Sequence, residues 1–269
     1  MKNNSNQNTF IDSLTLQFQV IKALMVRELL SEHERKNIGF LWLFVEPLIF
    51  LIIIILIRGA FFERSDFIKN VPTLGFLLTG YVVFMMFRRG LSYVGAAADS
   101  NRSLLFHRNI TVLDLFYSRF FLEFLSLSFV LIFLNLVFFY FGLMDLPNDY
   151  FKSAVGWFFI NWFFFNIGLF FCYFNYKFSF LKRNRIIIMF LIIPHSGITF
   201  MVSWLPPYQQ EYFLWWPCLH AMELLREGYF GTNINAIYSP YFLIFTNFFL
   251  FLFGLALSGK LKRELEKAE

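Results

Sequence analysis

"TLGFLLTGYVVFMMFRRGLSYVGAAA", Thr73–Ala98, carries two charges in 26 residues, Arg88 and Arg89. At 1.5 Å per residue, an apolar helix of this length crosses the ~30 Å hydrocarbon core of a bilayer. An arginine at mid-bilayer costs roughly 2.5–3.5 kcal/mol on the insertion scale, so two in succession need a reason. Adjacent helical residues point ~100° apart, which denies Arg88 and Arg89 a single shared partner.

The pattern recurs along the chain. Of 269 residues, 58% are hydrophobic and 15% charged, where a soluble domain carries about 25% charge. Mean hydropathy is +0.59, and Phe alone supplies 42 residues. The apolar residues fall in runs rather than in alternation, which defines an all-α membrane protein. Six spans are predicted: Phe40–Phe61, Thr73–Ala98, Ser118–Gly142, Ser153–Phe174, Ile186–Leu205 and Pro240–Ser258. The chain then divides into a cytoplasmic N-terminus (1–38), a membrane domain (39–259) and a cytoplasmic tail (260–269). An even span number puts both termini on one side. With that side inside, 16 Lys and Arg lie in inner segments and five in outer ones. The positive-inside rule therefore predicts cytoplasmic termini.

The net charge of +5 does not point to nucleic acid, because the basic residues flank the apolar runs. Cys172 and Cys218 have neither metal-site spacing nor a disulfide framework. The start, "MKNNSNQNTF", lacks a short apolar core with a cleavage site, so no removable signal peptide is expected.

Three segments outside the simple spans carry information. In Thr9–Arg35, apolar residues recur at Phe10, Leu14, Phe18, Ile21, Met25 and Leu29, which predicts an amphipathic helix on the inner membrane surface. The connection Asp99–Phe116 is too polar to span. Ser100 or Asn101 would cap a short helix bearing Leu104, Leu105 and Phe106. Beside His107 and Arg108 this reads either as a docking knob or as a loop folded on its own membrane domain. Pro206–Asn233 lies outside, where Pro206–Pro207 stop span five. Tyr208, Tyr212, Trp215 and Trp216 suit the headgroup level. Pro217 splits two short helices, which predicts a re-entrant cap, and Glu223 and Arg226 can pair on one helix face.

Candidate chemistry is sparse. "GLALSGKL", Gly254–Leu261, fits GxxxxGK. However, Leu261 replaces the magnesium-binding Ser or Thr, and an apolar span precedes it in place of a strand. The chain is expected to hold no ATP motor. His220 and Glu223 lack further ligands for a metal. No nucleophile–base set or carboxylate pair converges, so catalytic and metal sites are both predicted as none. Intramembrane ionisable residues are the better lead: Glu46, Arg88, Arg89 and Glu123. Glu46 sits ~9 Å and Arg88 ~15 Å from the inner end of their spans at 1.5 Å per residue, so a Glu46 pair with Arg88 or Arg89 is within reach. The other arginine then faces another helix or a water-filled path that favours anions. Gly95–Ala98 below them would allow close helix approach.

"RKNIGFLWLFVEPL" (Arg35–Leu48), "SLLFHRNITVLDLFYSRFFLEF" (Ser103–Phe124) and "HAMELLREGYFG" (His220–Gly231) resemble the capsular polysaccharide export permeases, the membrane subunits of type-2 ATP-binding-cassette exporters. The resemblance runs from about Ile21 to the end. It implies a second copy of the chain, two cytosolic ATPase subunits that supply ATP and magnesium, and periplasmic and outer-membrane export partners. It implies a bacterial inner-membrane location and an acidic, lipid-linked capsular polysaccharide as substrate. Thr9–Arg35 would be the interface helix. Asn101, Arg102, Leu104, Leu105, Phe106, His107, Arg108 and Asn109 would form the coupling helix. Trp215, Trp216, His220, Glu223 and Arg226 would form the outer gate. The substrate path would take Arg88, Arg89 and Glu46, with Trp42, Tyr81, Phe84 and Phe87 as stacking surfaces. Alternatives are a type-2 exporter of O-antigen or teichoic acid, and an integral-membrane enzyme or scaffold. Co-purification with an ATPase separates the last from the exporters.

Overall fold

The computed structural model describes residues 4–35, 45–50, 52–53, 72–105 and 110–267. Most of the predicted first span lies outside them, as do Trp42 and Phe106–Asn109. Among the described residues the chain is helical, with no strand. Four helices among the described residues are long and apolar enough to cross a membrane: Thr73–Val94, Val112–Tyr140, Tyr150–Lys177 and Pro240–Leu265.

Helix α1 is Asn4–Arg35. It packs on the body through Val20, Leu24 and Glu28, one face of a 3.6-residue repeat. The predicted apolar stripe is rotated away from that face. Leu14, Phe18 and Leu29 are exposed, and only Ile21 and Met25 are half-buried. The inward face is set instead by polar contacts, with Glu28 buried and Gln17 donating to Asp114.

Helix α2 (Thr73–Arg89) runs directly into a π-helical turn, Gly90–Val94. The Gly95 N–H closes that turn on the Gly90 carbonyl at 2.9 Å. A π-turn frees carbonyls that an α-helix would use. Here Arg119 Nη1 donates to the Tyr93 carbonyl (2.9 Å) and Asn175 Nδ2 to the Gly95 carbonyl (3.0 Å). Two four-residue helices follow, α3 (Ala97–Ser100) and α4 (Arg102–Leu105). The expected cap between them is replaced. Ser100 Oγ donates back to the Ala96 carbonyl, and Asn101 is buried with its amide donating to Glu28. Leu104 and Leu105 are half-buried against the core.

Helix α5 (Val112–Tyr140) starts six residues before the predicted span, at a capping box. Thr111 Oγ accepts from the Asp114 N–H, and the Asp114 carboxylate accepts from the Thr111 N–H at 2.7 Å, which satisfies two orphan donors reciprocally. Helix α6 (Tyr150–Lys177) is capped by Asp149, which accepts from the Lys152 N–H. Short helices α7 (Ser179–Arg183) and α8 (Arg185–Ile192) follow.

The predicted fifth span, Ile186–Leu205, is not one continuous helix. Its helical part ends in a 3₁₀ turn at Ile193–His195, and irregular backbone leads to a second at Val202–Trp204. Pro194 removes a donor, and Gly197 adopts φ +73°, a left-handed conformation open to glycine but strained for other residues. Helices α9 (Pro207–Phe213) and α10 (Pro217–Phe230) form the outer pair. Helix α11 is Pro240–Lys267. It absorbs both the predicted sixth span and the charged tail, so the GxxxxGK match lies within a helix, with Gly254 against Leu169.

Helix α6 is the hub. Its crossing with α10 is so close that a Cβ on Gly156 would lie 2.5 Å from the Leu225 nitrogen. Small residues let helix backbones approach in this way. Asn166 on α6 donates to the Asn247 carbonyl on α11 at 2.9 Å, and Trp157 Nε1 to Ser128 on α5 at 2.8 Å.

Candidate functional site

Arg88 and Arg89 end the α-helical part of α2, where it gives way to the π-turn. Arg88 Nη2 donates to Glu46 Oε1 at 2.5 Å, and Arg89 Nη1 to Glu123 Oε1 at 2.9 Å. Two divergent side chains thus meet two carboxylates, one from residues 45–50 and one from α5. The second arginine, expected to face another helix or a water-filled path, is ion-paired to Glu123 on α5. Glu46, Arg88, Arg89 and Glu123 line one cleft of about 640 Å³, with Arg185 also in its lining and Phe84 among its apolar residues. Of the predicted path aromatics, Phe84 reaches this cleft. Phe87 is buried edge-on against Phe164, ring centroids 4.8 Å apart, and Tyr81 is buried against Phe50.

The cleft connects to a second cluster that sequence reasoning missed. Tyr93, in the π-turn, lines the cleft and donates its hydroxyl to Glu28 Oε2 at 2.9 Å. Glu28 Oε1 accepts from Arg119 Nε and Nη2, both at 3.2 Å, and from Arg27 at 2.8 Å. Arg27 also donates to Asn101 Oδ1 at 2.6 Å, and Arg119 to Ser100 Oγ at 2.9 Å. The Arg119 guanidinium lies over the Tyr93 ring, 4.4 Å from its centroid, a cation–π contact. Burial pushes the Glu28 carboxyl up, but the Arg119 charge and the hydrogen bonds from Tyr93, Arg27 and Arg119 outweigh it and hold the group below its ordinary value. Helix α1, the π-turn, α3 and α5 therefore meet at one carboxylate. Arg119 carried no local signal, since it stands at the end of an apolar run like any flanking basic residue.

In the segment predicted to lie outside, α10 projects His220, Glu223 and Arg226 from one face, at steps of three. All three are buried. The expected Glu223–Arg226 hydrogen bond does not form; each group serves irregular backbone instead. Arg226 Nη1 donates to the carbonyls of Gly197 (2.7 Å) and Phe200 (2.8 Å), and Nη2 to that of Ile198 (2.7 Å). Its guanidinium also stacks over Phe76, 3.6 Å from the ring centroid. Glu223 accepts from the N–H groups of Val202 (2.9 Å) and Ile237 (3.1 Å). His220 Nδ1 accepts from the Ser239 N–H at 2.9 Å, so its Nε2–H donates to the Leu214 carbonyl at 2.7 Å. Non-helical backbone survives at membrane depth only where its polar groups are met in this way. Trp215 is exposed, and Trp215 and Trp216 line an apolar cavity of about 610 Å³ with Tyr212 and Phe249.

Below the cap, Lys152 Nζ donates to Glu227 at 2.9 Å and the Tyr238 hydroxyl to its other oxygen at 2.5 Å. Burial raises the Glu227 pKa, and the hydrogen bonds from Tyr238 and Lys152 outweigh it and lower the value overall. Among the described residues, no group of three His, Cys, Asp or Glu side chains is placed to hold a metal ion.

The membrane-length helices and the ion-paired cleft define a polytopic helical integral membrane protein. No family model matches the chain. It is 35% identical over 261 residues, 97% of this chain and 98% of the relative, to the capsule polysaccharide export inner-membrane protein CtrC of Neisseria meningitidis serogroup B. It is 36% identical, over the same shares, to the capsule polysaccharide export inner-membrane protein BexB of Haemophilus influenzae. The polysialic acid transport protein KpsM of Escherichia coli is 27% identical over 88% of this chain and 91% of that protein. The chain belongs to the family of capsule polysaccharide export inner-membrane proteins.

Proposed function

We propose that the chain is the membrane-spanning subunit of an ATP-driven exporter that moves capsular polysaccharide, acidic and lipid-linked, across the bacterial inner membrane. The carrying observation is the 35–36% identity to capsule export proteins over 97% of the chain. In this reading the chain is a transport subunit and not an enzyme. Two copies work with two cytosolic ATPase subunits and with periplasmic and outer-membrane export proteins. Both termini are cytoplasmic. Six crossings are completed by residues 40–61 and by the broken segment 186–205. The apolar side of α1 away from α5, with Leu14 and Phe18 exposed, lies on the inner leaflet.

Residues Asn101–Asn109 couple to the ATPase. The buried Asn101–Glu28–Arg119 contacts give that motion a rigid route to α1, to α5 and to the π-turn beneath Arg88 and Arg89. The polymer passes between the two copies, which shift about their interface as rigid bodies when ATP closes the ATPase pair. Trp42 and Phe84 are assigned to its path with Glu46, Arg88 and Arg89, and the buried Tyr81 and Phe87 pack behind it. The pair α9–α10, with Trp215, Trp216, His220, Glu223 and Arg226, forms the outer gate.

Removing the gene from an encapsulated host tests the reading: surface capsule should disappear and polymer accumulate inside. Normal capsule without the chain would overturn it. Deleting residues 104–106 should leave the chain in the membrane but abolish its co-purification with an ATPase. Retained association would overturn the coupling assignment.

A further inference from the structure

The cleft holds three guanidinium groups against two carboxylates. Glu46 takes Arg88 and Glu123 takes Arg89. Arg185 lines the same cleft and has no ion pair among the described residues. It also opens α8, whose first turn contains no acidic residue and whose N-cap, Asn184, makes no side-chain cap. A helix start carries about half a positive charge, so the backbone there adds to the guanidinium's field. Two sources of positive charge thus coincide on one wall. The apolar part of the lining is formed by Phe84, Leu91, Ile186, Met189 and Phe190.

We propose that Arg185 is the anion-binding residue of this cleft, and that its ligand is a phosphate or carboxylate group joined to an apolar chain. The assignment deepens the export reading and rests on it only for what carries that group. Guanidinium groups match both anions with paired donors. Arg88 and Arg89 bound the cleft with their charge already balanced, so selectivity for an anion falls to the third arginine. The apolar lining then favours an amphiphile over a free ion.

The test uses the full chain in phosphatidylcholine nanodiscs, titrated with short-chain phosphatidic acid, the matching phosphatidylcholine, inorganic phosphate and an acidic oligogalacturonate. Binding is read by native mass spectrometry and calorimetry. Phosphatidic acid should bind at least tenfold more tightly than phosphatidylcholine, inorganic phosphate or oligogalacturonate; equal or tighter binding of any of these three would overturn the proposal. R185Q should weaken that binding at least tenfold, and R185K by an intermediate factor, because an ammonium keeps the charge but lacks the paired donors. E46Q removes the carboxylate from Arg88 and should tighten binding several-fold, which decides the matter if R185Q is lost from the membrane. Absence of anion binding to the unmodified chain, or equal binding by R185Q and E46Q, would overturn the assignment. Capsule loss on gene removal is scored separately. Equal binding in a chain that still exports capsule removes this inference alone, whereas Arg185-dependent binding in a chain dispensable for capsule removes the export reading alone.

Discussion

Replacing Arg226 with methionine probes the outer cap most directly. The side chain is wholly buried and donates to three carbonyls, those of Gly197, Ile198 and Phe200. Each buried acceptor left without a donor costs about 1–3 kcal/mol, a gross loss of roughly 3–9 kcal/mol. Against this, a buried guanidinium carries a desolvation penalty of several kcal/mol that methionine removes. Methionine keeps apolar contact with Phe76, so no large cavity forms. The net expectation is about 3–5 kcal/mol of destabilisation, the range for breaking a buried charged contact. At about 2–4 °C per kcal/mol for a chain of this size, the melting temperature falls by roughly 10 °C. The purified full-length protein in detergent, followed by tryptophan fluorescence, gives the number. Limited proteolysis across 196–206 locates the loss. R226K should fall between, because an ammonium is a point donor that cannot span three carbonyls. An R226M protein that melts within about 2 °C of the parent, with 196–206 no more readily cut, would refute the reasoning.

Further expectations follow from the packing. Glu28→Gln should cost about 2–4 kcal/mol, since it leaves the buried Arg119 without its carboxylate. The folded Glu28 pKa lies below the ordinary 4.5, so its stabilisation is fully present above pH 4.5 and is lost as pH falls through the folded value. The melting-temperature gap between parent and E28Q should thus be constant at pH 6–8 and close in acid; a gap unchanged by acid would contradict the cluster. Gly156→Ala pushes a Cβ to 2.5 Å from backbone of α10 and should cost at least about 2 kcal/mol by overpacking. Gly90→Ala meets nothing within 4 Å, at φ −56°, and should melt at or slightly above the parent. Asn166→Leu removes the bond to Asn247 and should cost about 1 kcal/mol in a thermal melt, the usual scale for hydrogen bonds between membrane helices.

The helices at Thr73–Val94, Val112–Tyr140, Tyr150–Lys177 and Pro240–Leu265 were legible because lipid imposes a length and a composition on each span separately. The break after His195 was not. Hydropathy averages side chains, so Ile186–Leu205 passes as a span despite Pro194, His195, Ser196 and Gly197; the donors that let its backbone leave the helix come from Arg226, some thirty residues later. Arg185 was read as a flanking charge because it ends a basic run, and only the return of α8 beside the π-turn brings it to the cleft. In α1 the repeat marked an apolar face correctly, but periodicity does not say which face meets protein. That was decided by Glu28, whose partner Arg119 lies 91 positions away. Depth and angle put either Arg88 or Arg89 within reach of Glu46, and the choice between them needed the placement of α5, where Glu123 takes Arg89.

The two arginine sites hold polar groups at membrane depth by different means, and the difference is measurable. Arg226 spends its donors on carbonyls fixed by the chain, so no incoming group replaces them without opening 197–200. Arg88 and Arg89 each hold a single carboxylate beside a cleft, with the Arg88 side chain 39% exposed. A charge contact of this kind survives exchange of one cation for another. Lysine at 88 keeps the charge and one donor for Glu46, and exposed pairs contribute only about 0–1 kcal/mol. R88K should therefore melt within about 3 °C of the parent, while R226K loses more, although each change is nominally the same substitution. Glutamine at 89 differs again, because it strands the buried Glu123 carboxylate, 2% exposed, and should cost about 3 kcal/mol or more. Equal losses for R88K and R226K would mean that both sites are held by geometry rather than by charge, and the contrast drawn between the inner cleft and the outer cap would fail.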